Sequence, residues 1–104
     1  MTAYAIAQLT INEQHPDIQV YIDKIQATMD PFQGRFLVHG GKHELLEGEP
    51  NPDYLVMLEF PSTELAKDWY ASPAYLEILP LRTDHISGTV IVVEGVPEGY
   101  RTGA

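Results

Sequence analysis

Four short apolar runs divide the chain, and what lies between them fixes how they can pair. Residues 3 to 11 (AYAIAQLTI), 34 to 40 (GRFLVHG), 53 to 60 (DYLVMLEF) and 88 to 95 (GTVIVVEG) are rich in β-branched and aromatic side chains. Asn, Gly or Pro bounds each of them, which marks them as strands. Between the first and second, Ile18, Ile22, Ile25 and Met29 recur at spacings of four, three and four. That lays one apolar stripe along a helix. Pro16 suits the first turn of this helix and Pro31 ends it. Asp17, Gln19, Asp23, Lys24 and Gln26 fall elsewhere on its surface. The stripe reads as core.

The segment LLEGEPNPD, with two prolines and a glycine, reads as a turn or long hairpin loop joining strands two and three. After the third strand Pro61 stops the run, and Ser62 is a candidate N-cap. In STELAKDWYA, Leu65 and Trp69 share a face, flanked by Ala66 and Tyr70. Ser72-Pro73 restarts a short helix carrying Tyr75, Leu76 and Leu79, which Pro80 kinks or ends. The order is β-α-β-β-α-β. This is the ferredoxin-like split arrangement of the α+β class, an antiparallel sheet with its helices on one face. We expect one domain over residues 1–96 and a tail over 97–104 that is loose or reaches to a partner.

Helices on one face leave the other bare, and a bare face in water alternates polar with apolar. Here it does not. The first strand offers Tyr4, Ile6 and Gln8 on one side and Ala5, Ala7 and Leu9 on the other. The last offers Val90 and Val92 against Thr89, Ile91 and Val93. Both faces are too apolar for solvent, so the bare face needs a cover, and a second copy of the chain is the simplest. A homodimer is expected.

Charge narrows the partners. Fifteen acidic against six basic residues give a net charge of −9. Nucleic-acid affinity comes from phosphate neutralisation by Lys/Arg clusters, and this chain has none. The same charge disfavours an anionic membrane surface. No apolar run approaches the ~18–20 residues of a membrane span, and MTAYAIAQLT lacks the basic region and cleavage site of a signal peptide. A cytoplasmic location is the expectation. Without cysteine, disulfides, thiolate metal sites and thiol nucleophiles are excluded together. No nucleophile elbow, phosphate loop or dinucleotide fingerprint occurs, and no cofactor is expected.

The candidate site residues cluster in two stretches. In GRFLVHGGKHE, a strand puts Arg35, Leu37 and His39 on one face and Phe36 and Val38 on the other. Paired about the EGEP turn, Arg35 sits opposite Glu59 and His39 near Leu55. Phe36, Val38, Val56, Leu58 and Phe60 then face the helices, while Arg35, His39, Met57 and Glu59 face the bare side. Either Arg35 binds an anionic group with His39 as acid or base, or Arg35–Glu59 is a structural pair and His39 ends the strand. His39 and His43 could hold a metal on a helix, or on a strand shortened by a bulge at the glycines. Four strand residues span ~13 Å, and the Gly40-Gly41 pair disfavours a helix. His15 and His85 lie in connections with no carboxylate pattern around them. No metal site is expected. In DWYASPAY, Trp69 reads as core, with Tyr70 and Tyr75 packing at an interface or walling an aromatic pocket. Arg82, nearby, reads as a solvated arginine or an anion contact.

The set GRFLVHGG, LEG, EFPS, WYASPAY, LPLR and VVEG resembles the bacterial family known as domain of unknown function 1330, within the dimeric α+β barrel superfamily. The likeness runs from residue 4 to 96, and the EFPS…WY-x-SP-x-Y block is its most specific part. It implies ferredoxin-like sheets pairing face to face in a dimer. It implies no reaction, since the family has no settled catalytic residues. Superfamily members include cofactor-independent monooxygenases, muconolactone-type isomerases, haem-binding enzymes and stress-responsive proteins. The matching positions are Arg35, Glu59, Trp69, Tyr70, Tyr75 and Arg82. Gln33 departs, where the family often has glycine, and so does His39. The expected function is binding of a small anionic or aromatic molecule against Arg35, His39, Glu59, Trp69, Tyr70, Tyr75 and Arg82, with enzyme-like chemistry that needs no cofactor. His39 is the candidate acid or base. The competing expectation is a non-catalytic dimeric binding or stress-response protein. Haem binding, through a free histidine in an apolar pocket, is a third.

Overall fold

In a computed structural model that describes residues 1–49 and 51–103, the chain runs β1 (Ala3–Ile11), α1 (Pro16–Met29), a 3-10 turn (Asp30–Phe32), β2 (Arg35–His39), β3 (Tyr54–Phe60), α2 (Thr63–Tyr70), α3 (Pro73–Thr83) and β4 (Ile86–Glu94). Pro50 of the expected hairpin loop and Ala104 of the expected tail lie outside the described residues. The four strands form one antiparallel sheet in the order β2-β3-β1-β4. This is the ferredoxin-like α+β arrangement, with α1, α2 and α3 on one face.

The helices start where the sequence directs them. Ser62 accepts from the Leu65 amide, and Ser72 from the Tyr75 amide, as N-caps of α2 and α3. His15 caps α1, its Nδ1 accepting from the Asp17 amide at 3.0 Å, with Pro16 in the first turn. Beyond α1, Gln33 stands in the left-handed region at φ 60°. Glycine adopts that backbone without steric cost, which explains why glycine suits this position. Gly34 follows, and a Cβ there would press into the Phe60 ring. Ala5, Tyr21, Ile25, Met29, Phe60 and Trp69 belong to the core between helices and sheet. Fully burying a side chain such as Phe60 or Met29 contributes roughly 1.5–3 kcal/mol.

Two local expectations fail, and both failures relocate site residues. First, β2 carries a bulge between Phe36 and Val38. Arg35 pairs with Glu59 and Phe36 with Leu58, as the turn predicts, but Leu37 is the extra residue and Val38 then pairs with Met57 and His39 with Val56. One inserted residue swaps the faces of everything beyond it. Val38 therefore joins the open face, and His39 turns to the helix side. Second, Pro80 does not end α3, which continues to Thr83. Pro80 is exposed, as is Leu76, so the carbonyl that loses its helical partner faces water. The buried positions Tyr75, Ile78 and Arg82 then continue one helical face for two turns. β4 also starts two residues earlier than expected, with Ile86 paired to Ile11.

Candidate functional site

A cavity of about 340 Å³ lies between the helix-side face of the sheet and the helices. Its existence follows from side-chain size. Ala5 and Ala7 on β1 form a floor too low to meet Ile18, Ile22 and Ile25 of α1. Phe36, Val56, Leu58 and Trp69 extend the apolar wall. Gln14, Gln19, His15, His39, Tyr54, Tyr21, Tyr75 and Arg82 bring polar groups to it. His15 and His39 are exposed and form its rim, whereas Tyr21, Tyr75 and Arg82 are buried.

The buried group is rich in donors and poor in acceptors. The Tyr21 and Tyr75 hydroxyls hydrogen-bond at 2.7 Å. The Arg82 guanidinium carbon lies 5.7 Å from the centre of the Tyr21 ring, a cation–π contact. Arg82 is 8% exposed, and among the described residues it has no carboxylate within ion-pair distance. A guanidinium offers five N–H donors and two phenols add two O–H donors, while the phenolic oxygens are the acceptors these three side chains supply. Burial works against the Arg82 charge, but the nearby Tyr75 and Tyr21 oxygens outweigh it, and the group titrates above its usual value. Burial, then Tyr75, drives the Tyr21 phenol far up, with Arg82 opposing. Tyr21 stays neutral and Arg82 stays charged. Of the two readings open for Arg82 in the sequence, a solvated arginine or an anion contact, its burial at the end of α3 removes the first. Tyr21 escaped notice altogether, although it falls between Ile18 and Ile25 at helical spacing.

The other expected site residues divide between the two faces. His39 lines the cavity, stacked on Phe36 at 4.6 Å and edge-on to Tyr54 at 6.0 Å. Trp69 is buried against Tyr75 at 4.3 Å and donates its indole N–H to Thr28 Oγ1 at 3.0 Å. Tyr70 packs edge-on against Trp69 and lies outside the cavity, over Lys67, Val90 and Val92. Arg35 and Glu59 form an ion pair at 2.8 Å on the open face, away from the cavity. His43 bonds Asn51 and the Pro52 carbonyl, and so ties the loop together instead of joining His39.

A second cluster corrects the expectation that His15 and His85 stand apart from carboxylates. His85 is buried, and its Nδ1 and Nε2 meet Glu13 Oε1 at 2.6 Å and Asp17 Oδ2 at 3.1 Å. These two bonds, Glu13 first, raise the His85 pKa above its ordinary value. The His15 ring stacks on His85 with centroids 3.9 Å apart. Glu13, His15 and Asp17 fall at alternate positions within five residues, a local signal, but the sequence does not show that His85, 68 residues from Asp17, joins them.

Residues 2–96 match the family model described as domain of unknown function (DUF1330). The chain belongs to this family. DUF1330 carries no assigned activity in its description, and no functionally curated protein matches the sequence. The fold recurs in solved structures at low identity. The RPA0582 protein of unknown function from Rhodopseudomonas palustris is similar at 14% identity, over 92% of this chain and 83% of its own, with a TM-score of 0.74. SnoaB from Streptomyces nogalater, a cofactor-independent oxygenase, is similar at 11% identity, over 96% and 98%, with a TM-score of 0.65. HapK from Hahella chejuensis is similar at 13% identity, over 97% and 99%, with a TM-score of 0.62. No helix among the described residues is long and apolar enough to cross a membrane.

Proposed function

We propose that this DUF1330 chain binds a small molecule with an anionic head and an apolar or aromatic body in the cavity. The head meets Arg82, Tyr21 and Tyr75, and the body lies between the β1 floor and α1. The observation that carries this reading is Arg82: a guanidinium 8% exposed, on an apolar cavity, without a carboxylate partner among the described residues. Burying a charge is costly; the Tyr21 and Tyr75 oxygens hold the guanidinium charged, and an anionic ligand supplies the counter-charge they lack. At ~4 Å, opposite unit charges attract by about 4 kcal/mol at an effective dielectric constant of ~20. A chain of net charge −9 repels anions at long range, so a local cation is what an anion site on it requires.

The working unit of this proposal is a homodimer. Ile91 and Val93 on the face without helices are exposed in the single chain, and Tyr4, Ile6, Leu55 and Met57 lie beside them half-buried. Pairing two such faces removes them from water. On the chemistry, SnoaB demonstrates that a related fold can serve a reaction without a cofactor, and His39 at the rim is the acid–base candidate. A second reading, binding without catalysis, is favoured by a different observation: no hydrogen bond orients the His39 ring among the described residues.

The test is a thermal-shift screen of apolar and aromatic carboxylates, each beside its neutral amide, on wild type and Arg82→Met, with mass checked by light scattering. A ligand that binds the native state raises its stability with concentration over Kd. Acids that stabilise wild type, amides that do not, and a folded Arg82→Met that responds to neither support the reading. Equal responses to acid and amide, or an unchanged response in Arg82→Met, overturn it.

A further inference from the structure

We propose that His15, Asp17 and His85 form a site for a divalent first-row transition ion at the rim of the cavity, with Glu13 holding His85 in place. The three residues each offer one ligand atom, and these atoms lie within 4.8 Å of one another. His85 Nε2 is 3.1 Å and His15 Nδ1 is 3.4 Å from Asp17 Oδ2. A tetrahedral ion with bonds of ~2.0–2.2 Å to N and O holds its ligand atoms roughly 3.2–3.6 Å apart. The His85–Asp17 separation is thus close to an edge of one coordination polyhedron, and the His15–Asp17 separation puts His15 within reach of it.

The surroundings fit a metal centre in further ways. Glu13 Oε1 stands 2.6 Å from His85 Nδ1, the position from which a carboxylate fixes a ligating imidazole and raises its basicity. His15 Nδ1 accepts the Asp17 amide hydrogen, so this nitrogen carries a lone pair and not a proton. His85 is buried and Asp17 half-buried, which restricts the competing water. Two imidazoles and one carboxylate suit zinc, iron, cobalt or nickel better than calcium or magnesium, which take oxygen sets. The positive end of the α1 dipole opposes a cation here, and the two carboxylates offset it.

Two features must yield to the ion: the His15–His85 stack, and the bond by which His15 Nδ1 caps α1. An imidazole holds a metal in its own plane, and rings 3.9 Å apart and 11° from parallel cannot both do so. His15 is the ring that moves: it is exposed, and leaving the stack costs it little packing. His85 and Asp17 form the fixed pair, and His15 closes on the ion from outside. His15 also lines the cavity, so the site adjoins the volume that would hold a ligand. The proposal does not depend on Arg82, so its failure leaves the anion reading standing, and the reverse holds too.

The test uses untagged, chelator-stripped protein titrated with Zn²⁺ and with Co²⁺, followed by calorimetry and by the ring-proton resonances of the four histidines. The expected result is one ion per chain, with His15 and His85 resonances moving and those of His39 and His43 still. Glu13→Gln should weaken binding by about 10- to 100-fold, the usual loss for a group that orients a ligand. His15→Ala, an exposed change that leaves the core intact, should weaken it by at least about tenfold on the same grounds. No saturable binding, binding of wild-type strength in a folded His15→Ala, or shifts confined to His39 and His43 would each overturn the proposal.

Discussion

Two arginines on opposite faces of one sheet meet different fates. Arg35 stands on the face without helices, 66% exposed at its side chain, with Glu59 at 2.8 Å across the strand pair. Arg82 stands on the helix side, 8% exposed, with tyrosines and a cavity for company. The first has a partner and little need of one, since water already solvates it. The second is largely screened from water and, among the described residues, has tyrosine oxygens beside it but no carboxylate. An exposed ion pair stabilises by roughly 0.2–1 kcal/mol, whereas a desolvated charge without compensation costs several. A conspicuous ion pair therefore says little about function. The arginine that looks poorly served marks the place where something else belongs.

The largest effect should come from the open face. Ile91 is 54% exposed in the single chain and lies opposite Ile6 on β1. Ile91→Asp puts a charge in the middle of the proposed dimer contact. Light scattering should show the mass fall from two chains to one. A wild-type chain that is already monomeric at micromolar concentration would remove the dimer from the comparison and leave an apolar face in water.

Next comes Arg82→Met, which keeps the length of the stem and removes the charge. Buried ionic groups replaced by apolar ones of similar size are often neutral or stabilising by about 1–4 kcal/mol. The free protein should therefore hold or gain stability in chemical denaturation while losing its anionic ligand. A loss of several kcal/mol would mean that the guanidinium is structural, and that the contrast with Arg35 is one of packing alone. Smaller still should be Trp69→Phe on the cavity wall. It removes the N–H bond to Thr28, although Thr28 still donates to the Ile25 carbonyl at 2.7 Å. The expected loss is about 1–3 kcal/mol from one buried hydrogen bond and the lost ring volume.

How much of this was legible depended on how local each cause was. Alternation separated Ala5 and Ala7 from Ile6 along β1, and Val90 and Val92 from Ile91 and Val93 along β4; the register then sets Ala7 opposite Val90 and Ile6 opposite Ile91. The hairpin placed Arg35 opposite Glu59 for the same reason. The site residues escaped where one step depends on distant packing. No residue at Leu37 announces a bulge, yet the bulge sends His39 to the cavity and Val38 away from it. Pro80 ordinarily breaks a helix, but on the solvent side of α3 its cost is tolerable, and that carries Arg82 inward. The Glu13–His85–Asp17 contacts join the β1–α1 connection to the end of α3, and no spacing rule reaches that far.

The Arg35–Glu59 pair offers the smallest effect and the sharpest discrimination. Arg35→Ala, Glu59→Ala and the double variant form a cycle whose coupling term isolates the pair. β2 is an edge strand and Arg35 is its first residue, so the pair belongs at the margin of any contact made by the open face. The coupling expected is about 0.2–1 kcal/mol, shrinking as salt is added. A coupling of 3 kcal/mol or more, insensitive to salt, would be the signature of a buried pair, for which breaking one partner costs about 3–5 kcal/mol. Arg35 would then lie under the second chain, and the two arginines would differ in having a partner but no longer in having water. Denaturation at two protein concentrations separates these cases. A coupling that depends on the dimer rises with concentration, and one confined to the single chain does not.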